Sequence, residues 1–235
     1  MSLRGIFPID KWDFNSESIF TNFPKEDYEM ITRNAREEKY KRGQVIFREG
    51  GFPSGIYYIL DGTVKKYKVD NYEKEQIIYV ANRGELIGYH AVLSAERYPD
   101  SAAALEDCKA LFIPKEDFLS VLAQSRMLSG RLLKMLSHEF TVLTNSITIF
   151  AQRPVRERLA ITLIVLREKF KKGVGEGQPI AINMSREDLA NMAGTTRENV
   201  VRLLREFKDD HLIEAQGRKI WIADIKKMVA VSNYQ

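Results

Sequence analysis

The chain has 235 residues, of which 44% are hydrophobic and 29% charged, and a net charge of +4. That length is ample for two compact domains, and the composition is that of a globular protein able to build real cores. One cysteine, Cys108, and three scattered histidines, His90, His138 and His211, exclude an intrachain disulfide, a cysteine-ligated cluster and a four-ligand zinc site.

No apolar stretch approaches the roughly 20 residues that span a bilayer. The opening MSLRGIFPIDKWDFN brings acids and a proline where a secretory leader has its apolar run. The expectation is a cytoplasmic protein with no metal and no cofactor. Its basic excess is uneven: residues 1–153 hold 21 Lys and Arg against 21 Asp and Glu, whereas residues 154–235 hold 15 against 11. A polyanion partner, if there is one, belongs to the C-terminal third.

Taken in chain order, residues 16–40 read as helical, with FPKEDYEMITRNAREEKY spacing its apolar positions as a helix does. From about Lys41 the character changes. GQVIFREGGFPSGIYYILDGTVKKYKV and EKEQIIYVANRGELIGY are short aromatic and β-branched runs broken by glycines, and ALFIP at 110–114 closes the series. Strands joined by glycine-rich turns predict an antiparallel sandwich or rolled barrel.

After Pro114 helices return, first in PKEDFLSVLAQS. Leu133, Leu136, Phe140, Leu143, Ile147 and Phe150 then recur at alternating spacings of three and four. That is a heptad seam, narrower than the stripe of a helix lying on its own core, and it predicts self-association. Thr144 and Asn145 interrupt the apolarity and face either a pocket or solvent. Arg153-Pro154 breaks the helix, because a residue before proline disfavours helical backbone. VRERLAITLIVLREKF forms a further helix. KKGVGEGQP after it lacks the pattern of a phosphate-cradling loop and reads as a linker or hairpin turn.

The densest signal is SREDLANMAGTTRENVVRLLREF at 185–207. Ser185 with Asp188 has capping-box spacing, Gly194 suits a tight interhelical turn, and Thr195 or Thr196 offers the next N-cap, with Thr195 and Glu198 again three apart. On the second helix Val200, Leu203, Leu204 and Phe207 share one arc; Arg197, Glu198, Val201, Arg202 and Arg205 share the other. Helix-turn-helix geometry places such a second helix in the DNA major groove. An arginine fork matches guanine O6 and N7, and a carboxylate accepts from cytosine N4. Glu198 has little use on a helix that only grips phosphates. The competing reading is a solvated face with Glu198 paired to Arg202. HLIEAQGRKIWIAD follows as two alternating strands about Gly217, a wing with Arg218 and Lys219 at its tip for phosphate contacts.

This order of parts, a β-roll, a long helix and a winged helix-turn-helix, resembles the bacterial Crp/Fnr transcription regulators. The likeness is carried by GQVIFREG…GIYYILDGTVKKY, by RGELIGYHAVL and by MSREDLANMAGTTRENVVRLLREF with its wing. It implies an α+β protein: a β-roll effector domain with a jelly-roll-like cyclic-nucleotide-binding fold over 1–124, a dimerisation helix and hinge over 125–153, and a DNA-binding domain over 154–235. It also implies a homodimer, double-stranded DNA and RNA polymerase as partners, and Thr195, Thr196, Arg197, Glu198, Val201, Arg202, Arg205, Arg218 and Lys219 as the DNA-binding set. Arg197, Glu198 and Arg202 match the R-E-x-x-x-R triad that reads a TGTGA-like half-site in cyclic-AMP-responsive members. Val201 departs from the smaller side chains common there.

The effector is where the resemblance weakens. Cyclic-AMP-binding members carry a Gly-Glu start followed by Arg-Ser/Thr-Ala. Here Gly84-Glu85-Leu86 supplies a start, but the later part reads ERYPDSAAA, with Arg97 before Tyr98 and Asp100 where a phosphate would lie. The pocket candidates are Gly84, Glu85, Leu86, Arg97, Tyr98, Asp100 and Ser101, with Leu143 and Thr144 from the long helix. The expected effector is a small molecule other than cyclic AMP. The N-terminal cysteines of the oxygen-responsive branch are absent, His90 reads as structural, and Cys108 as a small buried hydrophobe. A sensing module for a cyclic nucleotide or haem, with DNA binding lost, is the alternative; the intact arginine–glutamate–arginine set speaks against it. Catalysis has no support: no nucleophile sits at motif spacing from a base, and Glu37-Glu38 and Asp209-Asp210 read as solvated faces.

Overall fold

In the computed structural model the described residues are 3, 5–12, 18–171, 175 and 178–234. Within the loop after the sequence VRERLAITLIVLREKF, positions 172–174 and 176–177 lie outside the described residues, and so does most of the expected linker reading. The chain packs as two compact units, Asn15–Ser137 and Met1–Phe14 with His138–Gln235.

The first unit begins with helix α1, Lys25–Ile31, and not with a helix running to residue 40. Arg36–Tyr40 is strand β1, paired antiparallel along its length to β8, Cys108–Pro114. The helical reading fails here because the deciding partner lies some seventy positions away. REEKY also suits an edge: its charged side chains face outward, and the Arg36 guanidinium covers the Phe112 ring at 4.3 Å.

Strands β2 (Val45–Phe47), β3 (Gly55–Asp61), β4 (Thr63–Val69), β5 (Glu75–Asn82), β6 (Leu86–Ile87) and β7 (Ser101–Ala104) complete two four-stranded antiparallel sheets. Their orders are β1-β8-β3-β6 and β2-β7-β4-β5. One core draws on both, with Tyr57, Ile59 and Phe112 from the first and Phe47, Val64 and Ala102 from the second. Gly62 makes the β3–β4 turn at φ +85, where an added Cβ would lie 2.7 Å from the Asp107 carbonyl oxygen, so only glycine fits. Cys108 is buried in this core, and burial pushes its thiol up to about 12, which leaves it unreactive. Helix α2, Tyr89–Ser94, interrupts the strands, and α3, Lys115–Gln124, follows them.

Helix α4, Arg126–Gln152, is 27 residues long, or roughly 40 Å at the usual rise. Two apolar stripes run along it. Leu128, Leu132, Met135, Val142 and Ile149 are buried within the protomer. The heptad positions stay outside: Leu133, Phe140 and Ile147 are 65%, 67% and 60% exposed, Leu143 and Phe150 are exposed, and Leu136 is half-buried. The helix ends at Gln152, and Pro154 precedes α5, Val155–Lys171.

The second unit also takes up the N-terminal segment, which the sequence had placed with the β-roll. Leu3, Phe7, Ile9 and Trp12 are buried, Phe7 and Trp12 pack on Tyr234 with ring centroids 5.8 Å apart, and Asn145 donates to the Lys11 carbonyl at 3.2 Å. Large aromatic side chains bury where they find area, whatever their distance in sequence. Helices α6 (Arg186–Ala193), α7 (Arg197–Asp209) and α8 (Ile225–Ser232) join α5 with a small sheet ordered β10-β11-β9, made of Ile213–Gln216, Lys219–Ile222 and Ile182–Asn183. No helix among the described residues is long and apolar enough to cross a membrane.

Inside the first unit, Lys66 Nζ lies 3.4 Å from Asp100 Oδ2, with side chains only 6% and 9% exposed. Removing one partner of such a pair strands a buried charge, which is far costlier than losing both. Asp100→Ala is expected to destabilise the protein by about 3 kcal/mol in chemical denaturation. Pairing it with Lys66→Met is expected to recover part of that loss; equal midpoints for the single and double variants would remove the ion pair from the account.

Candidate nucleic-acid interface

Helix α6 starts where the sequence places it. Ser185 Oγ accepts from the Asp188 amide at 2.9 Å, satisfying one of the donors a helix start leaves open. Gly194 then closes the helix in the left-handed region, φ +62 and ψ +49, which turns the chain toward α7. Arg158 of α5 donates from Nη2 to the Gly194 carbonyl at 2.9 Å and ties the turn to the scaffold.

The N-cap of α7 is Thr196, accepting from the Asn199 amide at 3.3 Å, and not Thr195 paired with Glu198. Thr195 is buried, and its hydroxyl oxygen accepts from Asn199 Nδ2 at 3.1 Å, so of the expected DNA-binding set it alone serves the turn. Both threonines have cap chemistry, but Thr195 is turned inward onto Asn199 Nδ2 and Thr196 is left to cap the Asn199 amide. Val200, Leu203, Leu204 and Phe207 are all buried. Burying such side chains contributes about 1.5–3 kcal/mol each, enough to fix which face points out.

The outward face carries Thr196, Arg197, Glu198, Val201, Arg202 and Arg205, all exposed. The side chains of Arg197 and Glu198 make no hydrogen bond or ion pair among the described residues. Arg202 is engaged, but not with Glu198: its Nη1 pairs with Glu206 on the next turn. At the wing, Gly217 has φ +56, and Arg218 and Lys219 are exposed at the tip. Arg186, in the first turn of α6, donates from Nη2 to the Gly217 carbonyl at 2.9 Å. Burial, and then the neighbouring Arg218, lower the pKa of its guanidinium. Arg186, Arg218 and Lys219 gather positive charge at the wing tip, which suits a phosphate.

The effector candidates meet a different outcome. Gly84 and Glu85 form the turn before β6, and the Glu85 carboxylate accepts from the Tyr79 hydroxyl at 2.6 Å. The short helix of this stretch begins after Gly88. Leu86 is buried opposite Tyr58 in the β3–β6 ladder. Arg97 is exposed and turned outward, donating to the Gly50 carbonyl at 2.7 Å and lying 3.8 Å from the Phe52 ring centroid. Tyr98 instead points in, stacked on Phe47 at 4.1 Å. Ser101 accepts from the Glu49 amide at 2.9 Å, and Asp100 holds Lys66. Leu143 is exposed on α4, and Thr144, also exposed, returns its hydroxyl to the Thr141 carbonyl at 2.9 Å. His90 stacks on Tyr89, and no cluster of metal ligands occurs among the described residues.

Residues 37–125 match the cyclic nucleotide-binding domain family, and residues 157–231 match the Crp-like helix-turn-helix domain family. Together they cover well over half of the chain in the order that defines these regulators. The chain belongs to the Crp/Fnr family. It is a DNA-binding transcription regulator. Its similar proteins include the fumarate and nitrate reduction regulatory protein of Vibrio cholerae, 27% identical over 84% of this chain and 80% of that one. The transcriptional activator protein anr of Pseudomonas aeruginosa is likewise 27% identical, over 85% of this chain and 82% of its own. Among solved structures, FixK2 from Bradyrhizobium japonicum shares the fold with a TM-score of 0.73 at 20% identity, covering 84% of this chain and 96% of that one.

For a Crp/Fnr protein, sequence reading passed over two residues of the interface, Arg186 and Glu206, and one of the β-roll, Lys66. Lys66 was hidden because its partner, Asp100, lies far along the chain, just before β7. Arg186 gave no signal beyond being a basic residue in a first turn. Glu206 was legible, since it stands four residues after Arg202, yet Glu198 offered the same spacing on the other side.

Proposed function

We propose that this Crp/Fnr regulator acts as a homodimer that reads a palindromic, TGTGA-like site through Arg197, Glu198 and Arg202. The observation that carries this reading is the outward face of α7: Arg197 and Glu198 exposed and unengaged among the described residues, with the opposite face buried. Arginine forks and a lone carboxylate suit base edges, whereas Arg218 and Lys219 on the wing suit phosphates that set register. Val201, 42% exposed between the polar readers, offers an apolar contact to a thymine methyl.

The exposed stripe of α4 supports the dimer. A helix already buried along one side has no reason to keep Leu133, Phe140, Leu143 and Ile147 at heptad spacing on another, unless that side is covered in the working assembly. Two recognition helices held by such a seam would address half-sites about one turn, ~34 Å, apart. RNA polymerase as a partner and a cytoplasmic location rest on the family resemblance. The β-roll is assigned an effector other than cyclic AMP, because Asp100 sits where the diester would need a cation and Arg97 faces away.

Arg197→Ala or Arg202→Ala is expected to cost on the order of 1–3 kcal/mol at a site selected from random oligonucleotides while leaving affinity for random DNA nearly unchanged. Equal losses on both would reduce these arginines to phosphate contacts. Replacing Leu136 and Leu143 together by Lys is expected to give monomers in sedimentation and weak operator binding; an unchanged dimer would move the seam elsewhere. Titration calorimetry with cyclic AMP is expected to show no saturable heat at micromolar ligand, and saturation there would overturn the effector assignment.

A further inference from the structure

Glu206 lies one turn beyond the base-reading residues, yet both of its carboxylate oxygens are engaged. Oε1 accepts from Arg202 Nη1, and Oε2 accepts from Arg156 Nη1 at 3.0 Å. Arg156 belongs to the first turn of α5 and is itself held: its Nη2 donates to Asp210 Oδ2 at 2.9 Å, and its guanidinium carbon lies 5.1 Å from the centroid of the buried Phe207 ring. A carboxylate gripped from behind on one oxygen cannot swing freely. It presents the other to Arg202 as a fixed seat.

A guanidinium is a rigid plane with five N–H donors. A bond through Nη1 leaves the Nε–Nη2 edge open, and that edge has the two parallel donors that guanine O6 and N7 accept. We propose that Glu206, braced by Arg156, is a positioning residue for sequence reading: it fixes the plane of Arg202 so that the open edge meets one guanine. The proposal rests on the reading of α7 as the base-contacting helix. As an exposed pair, Arg202–Glu206 contributes little to folding. Its effect lies in binding, because a long side chain ordered beforehand does not have to be ordered at the interface. The same carboxylate repels phosphates and so lowers sequence-independent attraction. Both effects widen the gap between cognate and random DNA.

The test compares oligonucleotides selected from a random pool by the full-length wild type and its variants. The base pair whose preference disappears in Arg202→Ala is the one Arg202 reads. Glu206→Gln is expected to weaken the guanine preference at that position by on the order of tenfold. It should leave the position lost in Arg197→Ala untouched and bind random DNA somewhat more tightly. Arg156→Lys, which keeps the charge and loses the fork, is expected to show a milder form of the same pattern. Adding Glu206→Gln to Arg202→Ala is expected to change no base preference further. A preference that falls evenly at all positions, one that does not change, or an effect of Glu206→Gln that persists without Arg202 would each overturn the positioning role. A wild type with no base preference anywhere would overturn the reading of α7 itself, which is a separate result.

Discussion

The functional surface depends on the burial of one side of a thirteen-residue helix. Val200, Leu203, Leu204 and Phe207 are held against the scaffold, and every outward residue of α7 takes its direction from that choice. A rotation of α7 by one residue, about 100°, would turn Arg197 and Val201 inward in one direction and Arg202 inward in the other. The caps enforce the same phase. Thr196 starts the helix at a defined residue, Gly194 sets the approach, and Arg158 pins the turn through the Gly194 carbonyl. Four apolar side chains thus fix the direction of the proposed base-reading residues from the opposite face of the helix.

The same logic extends outward by one shell. Arg156 packs over Phe207 and reaches two carboxylates on the final turns of α7, so the inward aromatic and the outward ion pairs are parts of one construction. Surface ion pairs taken singly are weak. Here the pairs share members, and moving Arg202 disturbs Glu206, which is tied to Arg156 and through it to Asp210. Such sharing does little for stability but much for geometry, and geometry is what separates one base edge from another.

How much of this the sequence disclosed follows from the range of each interaction. The α6–turn–α7 unit and the hairpin wing were legible because caps, a positive-φ glycine and helical periodicity all act within a few residues. The heptad positions of α4 were legible for the same reason, and their exposure separates them from the buried stripe beside them. Contacts made over distance were not legible. β1 read as helix because its partner β8 lies far along the chain, and the N-terminal segment was placed with the β-roll because nothing local links Phe7 and Trp12 to Tyr234. Thr195 and Thr196 were locally equivalent, and only the burial of Thr195 told them apart. The effector candidates came from a motif, and a motif does not say which way Arg97 turns.

That last point bears on what the β-roll can sense. Its interior already contains a cation, Lys66, and the anion that answers it, Asp100, beside the stacked rings of Phe47 and Tyr98. A phosphate entering near Lys66 would have to displace Asp100 or share the ammonium with it, leaving two negative groups facing one positive charge at low dielectric. The opposing carboxylate would add to the cost of desolvating the ligand, and an effector acts only to the extent that it binds one state better than another. An anionic ligand therefore starts at a disadvantage in this domain that grows with its charge.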